Sequence, residues 1–330
     1  MSHLPGRLRI LLLAIGCLAA AAAMPGLAAG FDSGIKNNSL ALSPDEATAV
    51  VSYSDDPTIL VYDMAAGRVR QRLEGFTTPR NIVFTPDGGR FYVSDSGTGR
   101  ITVFELPSLR VVATIAGGAG AFGTVLSADG GRLYVNNQAA STVTAFDTRT
   151  GQAEAVIPCL AQPRQGVRLS PDGQTLFVTN FLGDKITLID TATNRITGEI
   201  AGFSRLRAIS VAPDGRTLYA ANSGRNSISV VDIASRRITQ EVAVGRDPYG
   251  AALTPDARFV YSGNLMDNSL SVIDTARQAV VATVTGLNEP RQAIVFTRDG
   301  AYAYVLNRDL GIAVVDRHGN RVARTLSPGG

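Results

Sequence analysis

The sequence predicts an all-β chain folded as a seven-bladed β-propeller, with four antiparallel strands per blade and about 42 residues per repeat. Three observations predict it. A turn built on Pro-Asp-Gly recurs seven times at a nearly constant interval. A second acidic marker keeps the same beat. Each interval divides into four short runs rich in β-branched residues, parted by turn residues.

The first marker stands as Ser43-Pro44-Asp45, Thr85-Pro86-Asp87-Gly88, Ser127-Ala128-Asp129-Gly130, Ser170-Pro171-Asp172-Gly173, Ala212-Pro213-Asp214-Gly215, Thr254-Pro255-Asp256 and Thr297-Arg298-Asp299-Gly300. Successive Asp residues are 42, 42, 43, 42, 42 and 43 apart. The second marker is Asp63, Glu105, Asp147, Asp190, Asp232, Asp274 and Asp316. Pro presets φ in such a turn, Asp bonds its own backbone, and Gly takes the left-handed position. In the fourth copy, the runs are Val167 to Ser170, Leu176 to Thr179, Lys185 to Asp190 and Arg195 to Ile200. No segment after the N-terminal stretch has helical periodicity. A linear solenoid would need atypical polar caps at both ends, and neither end has one. Charge on the outer runs, as in Arg68, Arg70 and Arg72 or Arg321 and Arg324, suits edge strands that must not recruit partners. No strand exchange between the first and last blades is expected. Residues 30–37 are expected to brace that seam.

Arg7 and Arg9 precede the apolar run Ile10 to Met24, and small residues follow to Ala29. This is a secretory signal pattern. Residues 1–29 are therefore expected to be cleaved, leaving 30–330 as one domain, with no transmembrane segment after cleavage. The expected location is periplasmic or secreted. Removing two arginines takes the net charge from +3 to about +1, too small for a global pull on polyanions. Cys159 is then the single thiol, with no internal disulfide, and is expected as a small buried apolar residue.

The second run of each copy ends in a recurring string: Tyr92-Val93-Ser94-Asp95, Tyr134-Val135-Asn136-Asn137, Phe177-Val178-Thr179-Asn180, Tyr219-Ala220-Ala221-Asn222, Tyr261-Ser262-Gly263-Asn264 and Tyr304-Val305-Leu306-Asn307. Leu188-Ile189-Asp190-Thr191 and Val272-Ile273-Asp274-Thr275 follow in two copies. These strings resemble the YVTN-repeat family of bacterial seven-bladed propellers, over roughly residues 38–328. The resemblance implies blades and, for function, an exported protein of a family mostly without enzymatic activity. One subgroup similar in size and export signal binds single-stranded DNA.

Much chemistry is missing. His3 leaves with the signal and His318 falls in a turn, so the histidine chemistry of streptogramin lyases has no basis here. A zinc site of the usual Cys/His kind lacks ligands, and Cys-x-x-Cys-His for haem is absent. No catalytic residue, cofactor or metal site is expected. The alternative is a lactonase-like or lyase-like hydrolase using channel carboxylates and a metal.

What remains is one face. The residues leading into each blade's first strand border the central channel. Arg80, Arg164, Arg207 and Arg291 occupy matching positions in four copies, and Phe122 and Tyr249 stand there in two others. Gln165 and Gln292 follow two of the arginines. Guanidinium forks suit phosphate and carboxylate, and aromatics beside them suit stacking. Phe181, Leu265, Met266 and Leu310 are expected as apolar tips of the neighbouring loops. The function expected is non-catalytic binding by a monomer: of a polyanion such as single-stranded DNA, an envelope polymer, or a protein. A purely structural reading stands beside it, in which each arginine pairs with an acid of the next blade.

Overall fold

The computed structural model describes residues 36–158 and 160–329. The predicted signal segment, residues 30–35 of the expected brace, and Cys159 lie outside the described residues. The described chain forms seven four-stranded antiparallel sheets. Their residues run 38–73, 79–116, 121–157, 163–200, 206–243, 252–284 and 294–326. Within every sheet, chain order is spatial order, so no strand is exchanged between the first blade and the last. The described residues contain one 3₁₀ turn, Leu265–Asp267.

The first strand of each blade is the innermost: β1 Asn38–Leu42, β5 Pro79–Phe84, β9 Ala121–Leu126, β13 Pro163–Leu169, β17 Leu206–Val211, β21 Ala252–Leu253 and β25 Ile294–Phe296. These strands touch one another around the axis, and the fourth strands face outward with mostly exposed side chains. Apolar alternation along the strands buries seven hydrophobic clusters, one at each boundary between adjacent blades. One of them joins Leu40, Tyr53 and Tyr62 of the first blade to Leu306, Ile312 and Leu326 of the seventh. The ring is therefore closed, and the solenoid is excluded. Across that seam, Tyr62 donates to the Leu310 carbonyl at 2.7 Å and Asn38 to that of Leu306 at 3.4 Å. Of the expected brace, Asn37 donates its amide to Ser54 at 3.0 Å, and Lys36 accepts from Arg291 at 3.3 Å.

The repeat markers do structural jobs. In the Pro-Asp-Gly turns, a hydroxyl and a backbone amide converge on one carboxylate oxygen, as Thr85 and Gly89 do on Asp87 at 2.5 and 2.9 Å. The Asn that ends the recurring string ties strand two to strand three. Asn180 donates to Thr187 at 2.9 Å and accepts from the Ala161 amide at 2.8 Å. Asn264 and Ser271 repeat the first bond at 2.9 Å. Gly123 has a packing reason: a Cβ there would lie 2.5 Å from the carbonyl oxygen of Arg164 in the next blade. Two edges depart from the expected charge. The outer strands β8 Val111–Ala116 and β24 Ala279–Val284 carry none, and Val280 and Val281 are exposed.

Candidate functional site

The six residues matched from sequence meet at one mouth of the channel, because each stands at the start of, or just before, an innermost strand. They do not form an open basic surface. Arg80, Arg164, Arg207, Arg291, Phe122 and Tyr249 are all less than a tenth exposed, and Arg80 and Phe122 are at 0 %. Gln165 is buried and Gln292 half-buried.

Burial is sustained by stacking. The Arg164 guanidinium lies 3.3 Å from the Phe181 ring centre, and Arg207 lies 5.0 Å from the same ring. Arg207 also sits 4.3 Å from Tyr249, which has Arg291 at 4.7 Å on it, and Arg291 reaches Tyr53 at 5.9 Å. Six side chains of blades one, four, five, six and seven thus alternate ring and cation around the mouth. Arg80 on Phe122, at 4.5 Å, forms a separate pair. Each such contact contributes about 0.5–2 kcal/mol, more as water is excluded. The rings expected to stack on a ligand are therefore covered by guanidiniums, and the edges of the guanidiniums carry the hydrogen-bonding capacity. Arg80 and Arg207 use one edge alike: Nε donates to Ser96 at 2.7 Å and to Ser223 at 3.2 Å. Gln292 Nε2 donates to the Asn38 carbonyl across the seam at 2.5 Å.

Burial lowers Arg207 below its ordinary guanidinium value; Tyr249 and Asp247 oppose the shift, and Arg205 and Arg291 add to it. Like charges are thus held close together. Acids stand near the belt: Glu289 is 3.8 Å from Arg291, and Asp247 acts on Arg207. The outer rim is different. There Lys36–Asp55, Lys185–Glu199, Arg246–Asp267 and Arg308–Glu289 pair at 2.5–2.9 Å. The rim is charge-paired, and the stacked guanidiniums lie beneath it.

Two ring members, Phe181 and Tyr53, were not matched from sequence. Phe181 was expected as an apolar loop tip and instead lies under two guanidiniums. Leu310 corrects the same expectation: it is buried in the seam cluster, where an apolar side chain gains more than in water. Met266 is a true tip, 60 % exposed.

Arg168 was also missed. It lies on β13 in the channel itself, lining a cavity of about 190 Å³ with residues of the innermost strands of blades five, six and seven, among them Ser210, Ala252 and Phe296. Its side chain is exposed to the channel. One bond is made, from Nη1 to the neighbouring Val167 carbonyl at 2.8 Å.

A cavity of about 600 Å³ opens on the opposite face, between blades six and seven, with Arg258, Arg298, Arg317 and His318 in its lining. Arg317 there bonds the Gly300 carbonyl. Thr148 and Thr191 make the equivalent bonds to Gly130 and Gly173, so Arg317 has a place in the blade scaffold. Among the described residues, no three His, Cys, Asp or Glu side chains cluster so as to hold a metal ion. No helix among them is long and apolar enough to cross a membrane.

Two family models match adjacent stretches: YNCE-like beta-propeller over residues 204–322, and Lactonase, 7-bladed beta-propeller, over residues 78–198. No curated protein matches. Solved structures match across most of the chain. Hydrazine synthase of Kuenenia stuttgartiensis is 18 % identical, with a TM-score of 0.72 over 91 % of this chain and 99 % of that one. The dihydro-heme d1 dehydrogenase NirN is 20 % identical, with a TM-score of 0.66 over 88 % and 68 %. A functionally unknown protein from Desulfotomaculum acetoxidans is 20 % identical, with a TM-score of 0.64 over 71 % and 78 %. At such identities the likeness is one of fold, and with seven four-stranded sheets and two propeller families matching neighbouring blades it identifies the chain as a seven-bladed β-propeller.

Proposed function

We propose that this propeller is an exported, non-catalytic binding module that engages an anionic or extended partner at the arginine-lined mouth of its channel, in the periplasm or beyond the cell. The observation that carries the reading is the belt: cations from blades four, five and seven interleaved with aromatic rings beneath a charge-paired rim. Stacking fixes the guanidiniums before any ligand arrives, which lowers the ordering cost of binding. Charge-assisted bonds from such forks are about twice as strong as neutral ones. Because the rim is charge-paired, recognition favours an anionic group that reaches into the mouth over a strand laid across the surface. The YVTN-type strings support a single-stranded polyanion as the first partner to test, with an envelope polymer or a protein as the others.

The test is binding of labelled single-stranded DNA at several salt concentrations, beside an Arg207→Gln, Arg291→Gln variant whose fold is checked by circular dichroism. The expected result is salt-sensitive binding whose log–log slope becomes shallower by about 0.7 for each phosphate contact removed. Absence of binding, or equal binding by the variant, would turn the reading to a protein or neutral envelope partner.

The match of residues 78–198 to the Lactonase family supports a second reading, a hydrolase using channel carboxylates and a metal. Metal-dependent turnover on a panel of lactones would favour it over binding alone.

A further inference from the structure

Seven copies of one repeat serve as controls for each other. On the face away from the mouth, the junction of blades six and seven departs from the other copies three times. Arg317 follows the second acidic marker, where the other copies hold Met64, Leu106, Thr148, Thr191, Ile233 and Thr275. Arg298 stands in the turn at the place of Pro44, Pro86, Ala128, Pro171, Pro213 and Pro255. His318 stands where four copies have Ala65, Ala192, Ala234 and Ala276. Together with Arg258, these three residues line the cavity of about 600 Å³ between the two blades.

The scaffold does not need these cations. Thr148, Thr191 and Thr275 make with a hydroxyl the bond that Arg317 makes to the Gly300 carbonyl with Nη1. The remainder of the Arg317 fork is surplus to that job. Nor is it a solvated surface cation, since its side chain is 9 % exposed. The Phe296 and Tyr261 rings, with centres at 5.4 and 6.0 Å, hold it at the cavity wall. Among the described residues, its buried Nε has no hydrogen-bond partner. Asp256 stands 3.8 Å from Nη2, beyond hydrogen-bond distance. That carboxylate serves its own turn, taking the Thr254 hydroxyl and the Arg258 amide on one oxygen at 2.5 and 3.1 Å. Asp299 does the same with Thr297 and Ala301 at 2.6 and 2.9 Å. Arg298 spends one Nη2 bond on the Pro44 carbonyl. Three guanidiniums thus face two carboxylates that are engaged elsewhere, and a buried charge short of bonds is costly.

We infer that this cavity is a binding site for one small organic anion, whose phosphate or carboxylate group is received by Arg317 and Arg298 and whose apolar body lies against Phe259 and Pro255. The volume falls within the roughly 300–1,000 Å³ of small-molecule pockets. A phosphate or carboxylate matches the planar fork in two parallel bonds. Asp256 and Asp299 in the same lining disfavour a polymer of many charges, since like charges brought together are repelled. The site goes beyond the mouth reading and does not rest on it.

Titration of the chain lacking residues 1–29 with phenyl phosphate and with benzoate, at low and constant ionic strength, tests this by calorimetry and by thermal shift. One probe or both should bind saturably and raise the melting temperature. Inorganic phosphate, which lacks the apolar body, should bind more weakly than the better probe. Arg317→Thr installs the residue that three other copies use and keeps a donor for Gly300, so it should melt within a few degrees of the parent. It should bind the probes at least about tenfold more weakly, the loss expected for a hydrogen bond to a charged group. Arg298→Ala, which copies the third blade, should weaken binding in the same direction. The Arg207→Gln, Arg291→Gln variant should bind the probes as the parent does, so failure at the mouth and failure at this cavity are read separately. No saturable binding of either probe, equal binding by Arg317→Thr, or loss of binding in the mouth variant would overturn the site. So would inorganic phosphate binding as tightly as both probes, or a probe-free Arg317→Thr that melts far below the parent, which would make Arg317 a structural residue.

Discussion

Asp87 closes its turn by taking the Thr85 hydroxyl and the Gly89 amide on one oxygen. The same hydroxyl bond is the first cause that holds Asp45, Asp87, Asp129, Asp172 and Asp299 below the usual carboxylate range. A depressed carboxyl contributes stability above its unfolded value, about 3.9, and loses it as pH falls through the folded values. Melting temperature should therefore be flat from neutrality to about pH 5 and fall steeply below about pH 4. A melting temperature unchanged down to pH 2.5 would refute this role. These residues were legible because turn chemistry is local. The arginines were half legible. Their matching positions follow from the repeat, but their depth does not, because sequence gives no radial coordinate and a lead-in residue can point inward or along the rim. Arg168 escaped because the lead-in positions were compared across copies and the strand interiors were not. Set beside Ala41, Val83 and Val125, it would have stood out.

At the scale of the element, the fifth blade lacks one part. Ala212 stands where Ser43, Thr85, Ser127, Ser170, Thr254 and Thr297 supply the turn hydroxyl. In blade four, Ser170 donates to Asp172 and accepts from the Thr175 amide, at 2.5 and 2.9 Å. In blade five, the Thr217 amide instead stretches to Asp214 at 3.4 Å. Ala212→Ser should restore both bonds and stabilise the fold by about 1 kcal/mol, read as a rise of about 2 °C in melting temperature. A decrease would mean that the buried site cannot take the hydroxyl. The strands themselves were readable from β-branched runs between turns, since a period of two and turn residues are local signals. The uncharged edges β8 and β24 were readable too, and show that charge is not placed on every outer strand.

At the scale of the whole molecule, seven boundaries carry seven separate apolar clusters, and none is fastened by a shared strand. Sequence reached the count of blades and the closure, because repeats without polar caps have to cover each other's faces. It did not reach the guanidinium–aromatic belt, whose members Tyr53 and Phe181 sit outside the matched position and join it through depth alone. A seam built like every other junction has a further consequence: the place where the chain starts is arbitrary to the fold. Between Leu73 and Pro79 the chain crosses from blade one to blade two in five residues, 74–78. Joining Gly329 directly to Lys36 would leave the same number between Leu326 and Asn38. A circular permutant opened between Ala116 and Ala121 should therefore fold with no added linker and retain the parent's melting behaviour to within a few degrees. Calorimetry of that permutant would check it, and a permutant that fails to fold would mean that the seam carries something the other six junctions do not.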